Sequence, residues 1–162
     1  MTIANEMKQV RFFLSLDPPT ATAQQKGERV VPGKGGKHFV VHYKKQSLKD
    51  AEKLFKTLLL PFKPAKPIEG AVRVSCEWIF PWRKSERKTV RRAFSAIPKT
   101  TKPDAGNSNK LLIDCMTDLG FWGDDSQVFD ESARKYWGEE PGIFIQIEHG
   151  GELGFVRKGG LF

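Results

Sequence analysis

Apolar and polar residues alternate near the start of the chain. The apolar set occupies every second position, at Val10, Phe12, Leu14 and Leu16. A period of two predicts a strand with one buried face, and we expect it to end at Asp17, which two prolines follow. Residues 17–37 are rich in Pro, Gly, Thr, Gln and Lys, a composition that predicts a long mobile loop.

A helical pattern follows this loop. Ser47 can cap the first turn, and Asp50 lies three residues further on. Apolar residues then recur at helical spacing, at Ala51, Leu54, Phe55 and Leu58. Three prolines stop the helix and predict a stiff connector: Pro61, Pro64 and Pro67.

Strict alternation returns beyond the prolines. The apolar face of this second predicted strand consists of Val72, Val74, Cys76, Trp78 and Phe80. The strand leads into a basic segment, after which a second helix is predicted from Ser108 to Leu119, with Gly120 as its stop. One side of that helix is apolar, with Leu111, Leu112, Cys115, Met116 and Leu119.

Further β-like stretches follow the second helix, the last with alternating Ile143, Ile145 and Ile147. The predicted order is β, α, β, loop, α, β, β, without an internal repeat. This order predicts an α+β fold, in which two helices pack on a small mixed β-sheet. At 162 residues the chain is long enough for one domain, so we expect a single domain over residues 1–162.

Composition narrows the function classes. Apolar residues make up 39% and charged residues 28%, as in soluble globular proteins, and no apolar run is long enough to cross a membrane. The polar stretch Met1–Val10 does not resemble a secretory signal, so we expect a cytoplasmic protein. No phosphate-cradling glycine loop, nucleophile elbow or histidine dyad points to a small-molecule cofactor or substrate.

Cysteine and histidine offer no metal or redox site. Cys76 and Cys115 fall within apolar patterns, which predicts buried reduced thiols. His38 and His42 are four residues apart, but they lie in a β-like stretch where that spacing does not orient both rings toward one zinc ion.

Positive charge is concentrated in one segment. The net charge is +8 and the pI is near 9.6, which points to a polyanionic partner such as nucleic acid. Residues 82–103 are predicted to form a basic DNA-binding loop, in which Glu86 is the one acid before Asp104. Its eight candidate phosphate contacts are Arg83, Lys84, Arg87, Lys88, Arg91, Arg92, Lys99 and Lys102. The alternative is a solvated loop whose charges only keep the protein soluble.

The aromatic residues of the basic segment and the predicted loop over residues 17–37 have two interpretations each. Trp82 and Phe94 either wedge into unstacked bases or anchor the segment to the core. The predicted loop over 17–37 either touches the nucleic acid or contacts nothing.

Carboxylates flank the second helix. Asp104 directly follows the basic segment, and Asp124 and Asp125 lie just beyond the helix. Hydrolysis of a phosphodiester by water needs a metal ion that activates the nucleophile and offsets charge on the leaving oxygen, and Mg²⁺ prefers carboxylate and water oxygens. An Asp-Asp pair in a turn is also common as a purely structural feature.

The stretch from Phe80 to Gln127 resembles the core of a known family. Its TTKPDAGNSNK segment, helix and GFWGDDSQV segment are similar in order and spacing to the pattern P-D-x-D-N-x-x-K, a helix with an internal Asp, and G-F-W-x-D-D-x-Q-V of the RusA family of Holliday junction endonucleases. The resemblance implies a homodimeric, Mg²⁺-dependent endonuclease, with Mn²⁺ as a substitute, that resolves four-way DNA junctions by paired symmetric nicks. It also implies a bacterial or prophage origin.

The resemblance assigns roles to individual residues. Asp104 matches the first catalytic Asp of the family, Asp125 matches the last, and Lys110 matches a lysine needed for activity and suited to a phosphate contact. The implied metal ligands are Asp104 and Asp125 with the neighbouring Asp124. Matches also occur at three positions with structural alternatives: Asn107, which can orient a carboxylate or cap the helix, Asp114, which can pair with Lys110, and Gln127.

Gly106 departs from the family pattern, because it stands where the family has its middle catalytic Asp. Either another carboxylate replaces it, or more water binds the metal, or the chain is a non-catalytic junction-binding protein. The candidate replacements are Asp124, Asp114, Glu77 and Glu148.

The length of the second helix bears on how the site assembles. Twelve helical residues span roughly 18 Å, so Asp104 and Asp125 lie near opposite ends of the helix unless the following segment folds back. A site shared across a dimer is the alternative.

A dimer would suit two symmetric nicks, because two identical sites then match the twofold symmetry of the substrate. The candidate interface is the apolar strip of Phe121, Trp122, Val128 and Phe129, with core packing as the alternative. Recognition would depend on DNA shape and phosphate positions, so affinity should fall steeply with salt.

Overall fold

The computed structural model describes residues 6–24, 26–151 and 153. Seven strands and three α-helices are formed in this part of the chain. The strands are β1 (Lys8–Ser15), β2 (Lys26–Pro32), β3 (His38–Lys44), β4 (Val72–Pro81), β5 (Ala96–Pro98), β6 (Val128–Gly138) and β7 (Gly142–His149). The helices are α1 (Gln46–Leu59), α2 (Lys88–Ala93) and α3 (Ala105–Leu119).

Five strands form one mixed sheet in the order β1-β7-β4-β6-β5. The central strand β4 pairs antiparallel with β7 and parallel with β6. A parallel pair needs a crossover connection, and the chain between β4 and β6 contains α2, β5 and α3. The α+β fold with a small mixed sheet is confirmed.

The core lies between one face of this sheet and the helices α1 and α3. The alternating apolar residues of β4 and β7 are buried on this face, and Trp78 meets the edge of Phe55 from α1 at a centroid distance of 5.9 Å. Cys76 and Cys115 are buried free thiols, as predicted. Within the described ranges, no helix is both long and apolar enough to span a membrane.

Helix α3 begins three residues before the predicted Ser108, at Ala105, because Asp104 caps its first turn. It ends where the sequence predicts. Gly120 adopts a φ of 83°, a left-handed conformation that glycine reaches without a steric penalty, and its amide bonds back to the last turn.

A separate hairpin of β2 and β3 occupies part of the stretch that the sequence predicts as a loop. Its pairing places Val30 opposite Val40 and Val31 opposite Phe39, and Gly35 and Gly36 take positive φ in the turn. The prediction of a loop over 17–37 is therefore wrong for residues 26–32.

The basic segment is also more ordered than predicted. Residues 82–103 contain the short helix α2 and the strand β5, which pairs with the last three residues of β6. Helix α2 buries none of its six described residues, which is why it produces no apolar stripe in the sequence.

Candidate active site and nucleic-acid interface

Asp104 lies at the exposed N-terminus of α3. Its Oδ1 accepts a hydrogen bond from the backbone N–H of Asn107 at 3.1 Å. Asp104 therefore caps the helix, and Asn107 provides the backbone N–H that the Asp104 side chain accepts. One carboxylate oxygen of Asp104 serves the helix, while the other remains available for a ligand in solvent.

Strand β6 folds back along α3. Glu131 of β6 lies beside Asn109 of α3, with 2.7 Å between Oε1 and Nδ2. Four residues later in β6, the Nζ of Lys135 donates to the carbonyl oxygens of Thr101 and Pro103 at 2.7 and 2.6 Å, just before Asp104. Strand β6 therefore brings Glu131 and Lys135 toward the start of α3, whereas Asp125 lies in the turn before this strand.

Lys110 lies among carboxylates on the exposed side of α3. Its Nζ pairs with Asp114 Oδ1 at 3.1 Å, as the sequence predicts. This hydrogen bond and the charge of Asp114 raise the pKa of Lys110, and the charges of Asp125 and Glu131 raise it further. Asp125 of the same chain is thus close enough to Lys110 to act on it electrostatically.

Asp124 shapes the turn that carries Asp125. Its Oδ1 accepts from the backbone N–H of Ser126 at 2.8 Å, and Gln127 Oε1 accepts from the N–H of Asp124 at 3.1 Å. These reciprocal bonds form a capping box on the 3₁₀ turn Asp125–Gln127. Hydrogen bonds from Ser126 lower the pKa of Asp124, so its carboxylate has a structural role in this turn.

Gly106 lies directly beside Asp104. A Cβ added at Gly106 would lie 3.4 Å from Asp104 Oδ1, so the family's middle Asp would place its carboxylate next to that of Asp104.

Two of the acids predicted as replacements for this missing Asp are wrong, because Glu77 and Glu148 lie on the sheet face turned away from α3. There Glu77 pairs with Arg134 at 3.6 Å and Glu148 with Arg73 at 3.0 Å.

The donor atoms on this surface suit Mg²⁺ in their chemistry, because they are carboxylate oxygens. In residues 6–24, 26–151 and 153, no three His, Cys, Asp or Glu side chains lie close enough together to hold one ion. Asp104, Asp124 and Asp125 therefore do not form a three-carboxylate site within one chain. The arrangement suits a largely hydrated ion that one or two carboxylates bind, which is common for Mg²⁺ in proteins.

Asn109 and Glu131 were missed in the sequence. Asn109 is fully buried; its Oδ1 accepts from Trp78 Nε1 at 3.2 Å, and its Nδ2 donates to Glu131. The helical spacing could have identified Asn109, because it places this polar amide on the buried side of α3. Glu131 has no local signal, because its partner is 22 residues away in the sequence.

Replacing Asn109 with Ala should lower the free energy of unfolding by about 3 kcal/mol, because the buried Trp78 N–H would lose its partner and a small cavity would form. Urea denaturation measures the change. The matched control is Asn107→Ala, a half-buried position on the same helix, which should cost under about 1 kcal/mol. A loss for Asn109→Ala no larger than the control's would contradict the role of this buried link.

The basic segment exposes most of its predicted phosphate contacts. Arg87, Lys88, Arg91 and Arg92 are exposed on or next to α2. Arg83 is exposed too, but it pairs with Glu86 at 2.7 Å, and this bond lowers the pKa of Glu86.

Lys99 differs from the rest of the basic set. It is only 6% exposed, and its Nζ lies 3.8 Å from the centroid of the Trp137 ring and 5.1 Å from that of Phe80. Burial, with the nearby charge of Lys135, lowers the pKa of Lys99. The geometry makes Lys99 an anchor of the segment against aromatic rings, not a surface contact.

The aromatic candidates separate by exposure. Phe94 is exposed, whereas Trp82 is half-buried and donates from Nε1 to Glu139 at 2.8 Å. Phe121 and Trp122 are buried in the core, which is the alternative that the sequence left open for them, while Phe129 is 50% exposed and stays a candidate for the dimer interface. The end of the proline connector lies beside the two buried rings, because the N–H of Ile68 donates to the carbonyl oxygen of Phe121 at 2.8 Å.

Comparisons of the sequence with known proteins identify its family. The sequence model of the endodeoxyribonuclease RusA family matches residues 18–148. The chain is 30% identical to the crossover junction endodeoxyribonuclease rusA of Lactococcus phage r1t over 136 residues, which is 84% of this chain and 95% of that protein. It is also 32% identical over 89 residues to the uncharacterized protein YqaN of Bacillus subtilis (strain 168), which covers 52% of this chain and 62% of YqaN. The chain belongs to the RusA family of endodeoxyribonucleases.

Proposed function

We propose that this protein is a homodimeric, Mg²⁺-dependent endonuclease that resolves four-way DNA junctions by paired symmetric nicks. The observation that supports this most directly is the electrostatic influence of Asp125 on Lys110, which lies on the helix that Asp104 caps, in a chain of the RusA family.

Asp104 and Asp125 are the proposed metal-binding carboxylates. A bound Mg²⁺, for which Mn²⁺ can substitute, would supply an activated water and would offset charge on the leaving oxygen. Asp104 has an oxygen free of its cap, and the capping box of Asp124 holds the turn that presents Asp125. Asp124 thus acts mainly by positioning Asp125.

Lys110 and the basic segment are the proposed phosphate contacts. The Lys110 ammonium is exposed beside the proposed metal-binding acids, so it can contact the scissile phosphate or its neighbour. The exposed cations around α2 lie in the chain segment that leads to Asp104, and there they would bind the phosphates of a junction arm. The proposed set is Arg83, Lys84, Arg87, Lys88, Arg91, Arg92 and Lys102.

The test is cleavage of a synthetic four-way junction whose four strands carry different labels. With Mg²⁺ we expect two nicks of equal yield in opposed strands, and no cleavage of linear duplex of the same sequence. The protein should sediment as a dimer. A protein that binds the junction but leaves it intact in both Mg²⁺ and Mn²⁺ would instead be the non-catalytic junction-binding protein that Gly106 allows.

A further inference from the structure

The hairpin of β2 and β3 stands apart from the packed body of the protein. It forms its own two-stranded sheet, and none of the residues described in these two strands is buried. A salt bridge of 2.6 Å between Lys44 and Glu52 ties its base to α1. The hairpin therefore adds no buried side chain to the core.

The hairpin exposes apolar side chains that the core does not cover. A two-stranded ribbon alone is marginally stable in water. This one nevertheless exposes large apolar side chains, among them Val30, which is 64% exposed, and Phe39, which is 57% exposed. Exposed apolar residues clustered on one element mark an interaction surface.

The positive charge of the hairpin favours a negatively charged partner. Residues 26–45 carry six Lys or Arg against one acid, Glu28, which lies 3.1 Å from His42. A second copy docked symmetrically on this element would bring the same excess of positive charge against itself. A polyanion would instead be attracted to the positive charge of the hairpin.

Each of two aromatic rings in the hairpin packs over a glycine of the same hairpin. A Cβ at Gly27 would overlap the ring of Tyr43, and one at Gly33 would overlap the ring of Phe39. Phe39, Val41 and Tyr43 are every second residue of β3, so the two rings lie on the same face of the hairpin, with Val41 between them. They form two flat, exposed aromatic surfaces, which is the form that stacks on unpaired bases or packs on sugars.

We propose that the hairpin is a DNA-binding β-ribbon, a second contact surface beyond the basic segment around α2. Lys34 and Lys37 at its turn contact phosphates, and Phe39 and Tyr43 pack on bases or sugars exposed at the branch point. Seven-residue strands are about 23 Å long, and a two-stranded ribbon fits the major groove of an arm. This inference rests on the proposed function, because that function supplies the DNA.

The experiment measures binding of a labelled four-way junction by fluorescence anisotropy in EDTA, so that cleavage plays no part. The first variant replaces residues 27–43 by a Gly-Ser link, which can join Lys26 and Lys44 because these two are paired across the strands. The second is Lys34→Gln with Lys37→Gln. The matched control is Lys49→Gln with Lys53→Gln, an equal loss of charge at exposed positions of α1.

We expect the double lysine variant to bind about tenfold more weakly and to lower the slope of log affinity against log salt by about two, and the excision variant, which also loses Phe39 and Tyr43, to bind more weakly still. The control should bind like the unchanged protein. Equal affinity after excision would overturn the role of the hairpin and leave the proposed function intact. A change from dimer to monomer on excision would also overturn it, since the hairpin would then be a subunit interface. Absence of junction binding by the unchanged protein would overturn both.

Discussion

Replacing Asp104 with Asn should reduce the rate of junction cleavage about 100-fold or more, while junction affinity in EDTA stays within about twofold of the unchanged protein. The substitution removes the charge that a metal ion needs and keeps nearly the same side-chain shape. Asn is as good an N-cap as Asp, so its side-chain oxygen can still accept the N–H of Asn107 and hold the start of α3. Single-turnover cleavage at saturating Mg²⁺ measures the effect.

Two controls separate the charge of Asp104 from its cap. Asp104→Ala removes both and should also cost about 1 kcal/mol of unfolding free energy. Asp118→Asn removes one exposed charge from the same helix, where it pairs with Lys56 at 2.6 Å, and should leave cleavage unchanged. If Asp104→Asn cleaves as fast as Asp118→Asn, Asp104 does not bind the metal.

The main sheet and its two covering helices were predictable because each has a local repeat. The alternation of β4 and the apolar stripe of α3 follow from burial on one side, which leaves a period of two or 3.6 in the sequence. Helix α2 has no such repeat, because it buries none of its residues. The hairpin was missed because Gly33, Gly35 and Gly36 signal a loop, while the partners of its valines lie across the turn.

The site was predictable only in part, for a similar reason. Asp104 and Lys110 share a helix and a sequence pattern, so the resemblance could assign them. Asn109 and Glu131 meet only because β6 folds back, and no spacing in the sequence encodes this contact. The sequence left Trp122 open between core and interface, because an apolar strip has the same pattern whether its own chain or a second subunit covers it; the structure buries Trp122 in the core.

Replacing Gly106 with Asp should lower the Mg²⁺ concentration needed for half-maximal cleavage about tenfold, which is about 1.4 kcal/mol of binding free energy. Gly106 is in the first turn of α3 and does not have a positive φ, so an Asp there adopts the same backbone without strain. Its Cβ would lie 3.4 Å from Asp104 Oδ1, an ordinary contact that puts the new carboxylate beside the old one. The Mg²⁺ dependence of the single-turnover rate measures the change.

A second readout does not depend on activity. Two adjacent carboxylates repel each other without metal, which offsets the stabilisation that an acid gains at a helix N-terminus. Added Mg²⁺ removes this repulsion, so the melting temperature of Gly106→Asp should rise with Mg²⁺ more than that of the unchanged protein or of Gly106→Asn, which has the same shape without the charge. If Mg²⁺ shifts the two variants equally and half-maximal cleavage does not move, the ion lies elsewhere than at the N-terminus of α3, and the role of Asp104 as a ligand is refuted along with it.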